Sequence, residues 1–166
     1  MKSIYLKLAD PTLPGESSDR EHSQWIELFS WVQEIAQPTS RVASTSGGHT
    51  IGRAEHEDML VMKHMDTSSP LLYQAVAGGT TFKSAQIDFY RDAGDGKRVK
   101  YLEIQLKNVL VSRVRALTSE NMLPVEEVSL RYSAIQWKYQ KQNIDGSQGG
   151  AVLGAWNLAT NTRTFQ

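Results

Sequence analysis

Residues 101–140 read YLEIQLKNVLVSRVRALTSENMLPVEEVSLRYSAIQWKYQ, two long β-type runs with a polar break between them. Strands of this length with an apolar face expose a long row of unpaired backbone groups unless the sheet closes on itself or is covered. In the first run Leu102, Ile104, Leu106 and Leu110 share a phase. Val109 and Val111 add the opposite phase, so burial on both faces is expected there. In the second run Val128, Leu130 and Tyr132 share one phase, and Ile135, Trp137 and Tyr139 the other. A change of phase near Ser133 and Ala134 predicts a bulge or a strand that turns a barrel corner.

The rest of the chain supplies partners for these strands. Ile4, Leu6 and Leu8 alternate with Tyr5, Lys7 and Ala9 as a first strand, which Pro11 and Pro14 stop. Residues 25–37 read as a second strand, apolar on both phases at its centre, and Pro38 ends it. Residues 39–52 (TSRVASTSGGHTIG) have no periodicity and read as an exposed loop, either functional or a tolerated insertion. Residues 59–65 resume a β-type run. A helix follows with Ser69 as N-cap, Pro70 as its first residue and Gly78 as its stop. Leu71, Leu72, Ala75 and Val76 form its packing stripe. Residues 82–91 and 99–115 form a hairpin around Ala93-Gly94-Asp95-Gly96, and residues 151–158 form a last strand. About seven strands and one helix predict a mainly β fold: an antiparallel β-barrel of two packed sheets with one short flanking α-helix. A single domain is expected over residues 1–166, its tail from about residue 159 loosely ordered.

Composition excludes much chemistry. The chain has 166 residues and no cysteine, which excludes disulfides, thiolate metal sites and cysteine nucleophiles, and its zero formal net charge gives no hint of a basic nucleic-acid footprint. The N-terminus does not read as a secretory signal peptide, and no apolar run approaches a membrane helix. His56 and His64 share a phase but would stand roughly 26 Å apart on a straight strand, so no metal is expected. Glu55, Glu57, Asp58, Glu126 and Glu127 read as solvated charge, because adjacent acids on a strand point to opposite faces. Serines occur without a nucleophile elbow. Trp25, Trp31, Trp137 and Trp156 all fall in predicted strands, with core packing expected for Trp31 and Trp137. Neither a catalytic set nor a cofactor site is expected.

The segments IYLKL…LPGESSD..H, IELFSW…QP, Asp66-x-x-Ser69-Pro70, YLEIQLKNVLVS, VSLRYSAIQWKY and DGSQGG…W follow one another in order along nearly the whole chain. Together they resemble the haemolysin co-regulated protein (Hcp) family, the tube-forming proteins of bacterial type VI secretion systems. The resemblance implies a β-barrel assembling as a hexameric ring. Rings stack into an inner tube that sheath contraction expels, and effector proteins ride in the lumen. It also implies contractile sheath, spike and baseplate partners, and cytoplasmic assembly followed by secretion to the extracellular medium or a target cell without a signal peptide. No enzymatic activity, cofactor, nucleic-acid partner or membrane insertion is implied. The glycine-rich loop of the family falls here on residues 40–53, which makes Ser40, Arg41, Gly47, Gly48, His49, Thr50 and Arg53 candidates for ring stacking. Ser30 and Val32, opposite Trp31, are candidates for the lumen face. Residues 118–124 are poorer in glycine than in many relatives. The competing expectation is a monomeric β-barrel carrier with a ligand inside, which requires an unfilled interior.

Overall fold

The computed structural model describes residues 3–40, 52–92, 97–143 and 147–166. Its strands in chain order are β1 (Ser3–Ala9), β2 (Ile26–Leu28), β3 (Ser30–Val32), β4 (Ile35–Ala36), β5 (Glu55–His56), β6 (Met59–His64), β7 (Thr81–Asp92), β8 (Arg98–Leu117), β9 (Val125–Arg131), β10 (Ala134–Gln142) and β11 (Gln148–Asn157). The single helix among the described residues is α1 (Ser69–Gly78). All strand pairings are antiparallel, and β4 and β5 pair only with each other.

The long strands bend, and the bend makes the barrel. Along β8 the buried side chains are Ile104 and Leu106, then Val109 and Val111, so the inward phase shifts at Asn108. Burial on both faces at Val109–Val111 was the expectation. The structure shows a one-residue change of phase instead, and Leu110 faces away from the core. Neighbouring β7 makes the same change between Phe82 and Ala85. On the other side of β8 the chain breaks between β9 and β10 at Tyr132 and Ser133, where the corner was expected. Asn108 takes a left-handed φ of 49°, open at low cost to Asn and Gly but not to β-branched residues. Its Nδ2 donates to Ser133 Oγ at 2.8 Å, while Ser133 N donates to Lys107 O at 2.9 Å.

β7 and β8 therefore serve two sheets. Their outer halves join β2, β1, β10 and β11. The second half of β8, with the first residues of β7 beside it, joins β9, β6 and β3. The segment expected as one strand over residues 25–37 is broken into β2, β3 and β4, with Trp25 outside all three. The break is functional for the fold: β2 pairs β1, and after Phe29 β3 pairs β6, which closes the barrel. Leu6, Ile26, Phe89, Ile104, Val61, Val128 and Leu130 fill the interior, each at 1% exposure or less. The ring of Trp31 meets that of Phe89 at 5.0 Å, joining the two sheets.

Helix α1 covers one end of the barrel through Leu72 and Ala75. Its boundary residues lie one position from those expected. Ser68 occupies the N-cap position without a side-chain cap, and Gly79, at φ 63°, closes the helix by donating to Val76 O. Ser69 Oγ instead accepts from Asp66 N at 3.0 Å. At the other terminus of the chain, Asn157 and Thr162 exchange backbone hydrogen bonds and Asn157 Nδ2 donates to Gln166 O.

The bend at Asn108 carries a test. Asn108→Val should lower unfolding free energy by about 1–2 kcal/mol, because a β-branched side chain clashes in the left-handed region. Asn108→Gly should cost distinctly less. Urea denaturation of the two variants against the parent measures the difference.

Candidate functional site

Among the described residues no cluster of three or more His, Asp or Glu side chains could hold a metal ion. Apart from Asn157, the buried polar side chains gather in two structural knots. In the first, Lys63 and Glu126 are direct cross-strand partners on β6 and β9, at 1% and 0% exposure. Lys63 Nζ lies 2.7 Å from Glu126 Oε2 and 2.7 Å from Asp66 Oδ1. Ser69 Oγ donates to the same carboxylate at 2.7 Å, and the Tyr73 hydroxyl donates to Oε1. Burial pushes the Glu126 carboxyl up, but hydrogen bonds from Lys63, Tyr73 and Ser69 outweigh it and hold the carboxyl below its ordinary value. The bond to Glu126, together with burial, pushes the Tyr73 hydroxyl up to about 12. Glu126 was expected in solvent; only its neighbour Glu127 faces outward. The signal that identifies it is phase: Lys63 continues the Met59–Val61 row and Glu126 the Val128–Leu130 row.

The second knot pins residues 15–25 onto β1 and β7. His22, 3% exposed, stacks on Tyr5 at 4.4 Å. Its Nδ1 lies 2.9 Å from Asp19 and its Nε2 3.1 Å from Asp88. Burial raises the Asp19 carboxyl, but hydrogen bonds from His22, Arg98 and the Glu21 backbone, with the Arg98 charge, lower it to about 2. Gly15 lets this loop approach closely, since a Cβ there would lie 2.4 Å from Trp25 O.

What remains is surface. On the sheet of β3, β6, β9 and β8 the register places Val32, Leu60, Ser129 and Arg113 in one row, and Ser30, Met62, Glu127 and Arg115 in the next. Trp31, Val61 and Val128 occupy the opposite, inward face. Ser30 and Val32 thus stand together on a surface that is apolar along β3 and β6 and charged along β8 and β9, with Val32 51% exposed. Its charged half encloses a cleft of about 510 Å³. There Asp58 Oδ1 accepts from Arg131 at 2.8 Å and Asp58 Oδ2 from Ser112. Burial raises the Asp58 carboxyl, yet these bonds and the Arg131 charge bring it below its ordinary value.

Of the loop candidates, Ser40 is half-buried, and Arg53 lines a cleft of about 490 Å³ with Ile35, Trp137 and Trp156. Arg41, Gly47, Gly48, His49 and Thr50 lie outside the described residues. Trp31, Trp137 and Trp156 pack half-buried against the core, and Trp137 Nε1 donates to Gln33 Oε1 at 2.9 Å.

Core side chains fill the barrel, and its outer face is patterned in apolar and charged rows. Residues 5–139 match the family described as type VI secretion system effector, Hcp. The chain is 34% identical over 163 residues to Protein hcp1 of Pseudomonas aeruginosa, covering 96% of this chain and 97% of that one. It is 23% identical over 140 residues to the Major exported protein of the same organism, covering 80% and 79%. A solved structure of a type six secretion system protein superposes with a TM-score of 0.88 at 28% identity, over 99% of this chain and all of that one. The chain belongs to the Hcp family, and is a type VI secretion system protein of the tube and effector class. The ligand-carrying monomer is the less favoured reading, since core side chains occupy the barrel interior.

The two knots predict distinct stability behaviour. Glu126→Ala should cost about 3–5 kcal/mol by taking from buried Lys63 its buried carboxylate partner, with Asp66 left to it, and from Ser69 and Tyr73 their acceptor, whereas Lys63→Met with Glu126→Leu should recover most of that loss. Denaturant melts of the single and double variants test this. For Asp19, a lowered carboxyl stabilises the fold fully above its ordinary value and ceases to do so as pH falls from about 4 towards 2. Unfolding free energy should therefore decline over that window, and Asp19→Asn should flatten the decline.

Proposed function

We propose that this protein is the structural tube subunit of a type VI secretion system, without enzymatic activity. Six copies form a ring. Rings stack into the inner tube, and contraction of the surrounding sheath expels it behind the spike. Assembly takes place in the bacterial cytoplasm on a baseplate, and the tube is exported to the medium or a target cell. Membership of the Hcp family carries this reading. The patterned face of β3, β6, β9 and β8 supports it, since tube subunits act through surfaces.

In this assembly Ser30 and Val32 face the lumen, where small effector proteins bind. Leu60 and Met62 extend that surface beside them. Ser40, Arg41, Gly47, Gly48, His49, Thr50 and Arg53 contribute to contact between stacked rings. No nucleic acid or membrane insertion takes part.

Light scattering and negative-stain imaging of the purified protein should give a six-fold mass and rings with an open centre. A protein that stays monomeric at high concentration would sink the proposal. With rings intact, Val32→Glu should reduce co-purification of effector cargo without changing ring mass, which pull-down and light scattering read separately.

A further inference from the structure

The β10–β11 hairpin outgrows the barrel that supports it. On its inner face Ile135 is fully buried opposite Trp156, Trp137 is half-buried, and the next pair, Tyr139 and Val152, is 45% and 70% exposed. The outer face adds Leu153 at 60% exposure. Among the described residues β11 pairs with no strand other than β10, so its second edge is open. An open edge with exposed apolar side chains on both faces is a surface that another chain covers. The hairpin strands also carry net positive charge, since Glu103, which stands opposite Lys138 on β8, is already paired with Lys100. β10 and β11 carry Lys138 and Lys141 and no carboxylate, and neither cation has a partner among the described residues.

A second apolar patch lies at the opposite end of β8. Tyr139 pairs with Leu102 near the start of that strand, whereas Val125 pairs with Leu117 at its finish. Beside Val125, Met65 N donates to Pro124 O at 3.1 Å, which ties Met65 to the end of the segment that carries Met122 and Leu123. Phe29 reaches the same end of β6, its ring 4.9 Å from that of His64. Met122 and Leu123 are 66% and 72% exposed, and Phe29 and Met65 nearly half. Exposed Glu27 and Glu120 flank this patch, also without partners among the described residues.

One patch is apolar with basic neighbours and the other apolar with acidic neighbours. Standing at opposite ends of β8, they cannot meet within one chain, but they can between copies related head to tail. Such a heterologous contact closes into a ring when the rotation closes. We propose that the β10–β11 hairpin of each copy docks on the Phe29, Met65, Met122 and Leu123 patch of its neighbour in the ring. This rests on the ring assembly proposed above and assigns its subunit contact.

Native mass spectrometry of the full chain across a dilution series tests the assignment. Val152→Asp with Leu153→Asp should raise the concentration at which rings dissociate by at least about tenfold, with an unchanged melting temperature because both side chains are exposed. Lys138→Glu with Lys141→Glu should weaken rings likewise, and adding Glu27→Lys with Glu120→Lys should restore them. Folded variants whose rings dissociate at the parental concentration would overturn the hairpin contact while leaving the ring reading intact. A charge swap that fails to restore rings would overturn the pairing. A parent that forms no ring at any concentration removes the assembly itself. Because the chain has no cysteine, Leu153→Cys with Leu123→Cys supplies a second arm. Oxidation should produce a covalent series up to six copies from the double variant, and a ring that yields no such series would count against the contact.

Discussion

Everything in this barrel depends on the bend that carries β7 and β8 from one sheet into the other. A pair of strands this long cannot remain flat and keep one face dry over its whole length, because strand twist turns the face away from any single core. The chain resolves this at one line across the sheet. Asn108 adopts the left-handed conformation, β7 changes phase beside it, and Ser133 separates β9 from β10 on its other flank. The Asn108–Ser133 side-chain bond ties the line together. Both sheets, and the core between them, follow from that corner.

Charge is used inside the protein to hold pieces that apolar packing alone would leave ambiguous. The Lys63–Glu126 pair fastens the start of α1 to the barrel through Asp66, Ser69 and Tyr73. His22, Asp19, Asp88 and Arg98 fasten an otherwise irregular loop across β1 and β7. Such networks need every partner in place, since a buried charge without compensation is strongly unfavourable. Their polar residues are therefore scaffold, although residue type alone suggests chemistry.

The outer surface is divided in a corresponding way. The face bearing Ser30 and Val32 is a continuous sheet surface with an apolar and a charged half, and is the face proposed to line the tube. The hairpin and the opposite barrel end concentrate exposed apolar area beside charges of opposite sign, suited to contact between copies. The proposed tube assembly uses both kinds of surface, which occupy separate parts of one chain.

Much of this was legible in the residues. Alternating phases located the major strands and the corner near Ser133, and the ordered motifs from Ile4 to Trp156 pointed to the Hcp family. Short-range pattern could not show that residues 25–37 divide into β2, β3 and β4, since that division exists only to move the chain from β1 to β6. Nor could it show that Val109 and Val111 stay on the core side, because a one-residue change at Asn108 reads in sequence like burial on both faces. Glu126 was misplaced for a related reason: an acid on an apolar row is buried only if a cation stands opposite, and Lys63 lies sixty-three positions away. The sequence by itself determined local periodicity, turn chemistry and the absence of cysteine. Tertiary structure alone decided which rows face inward and which distant charges meet, because both depend on strand register between segments far apart in the chain.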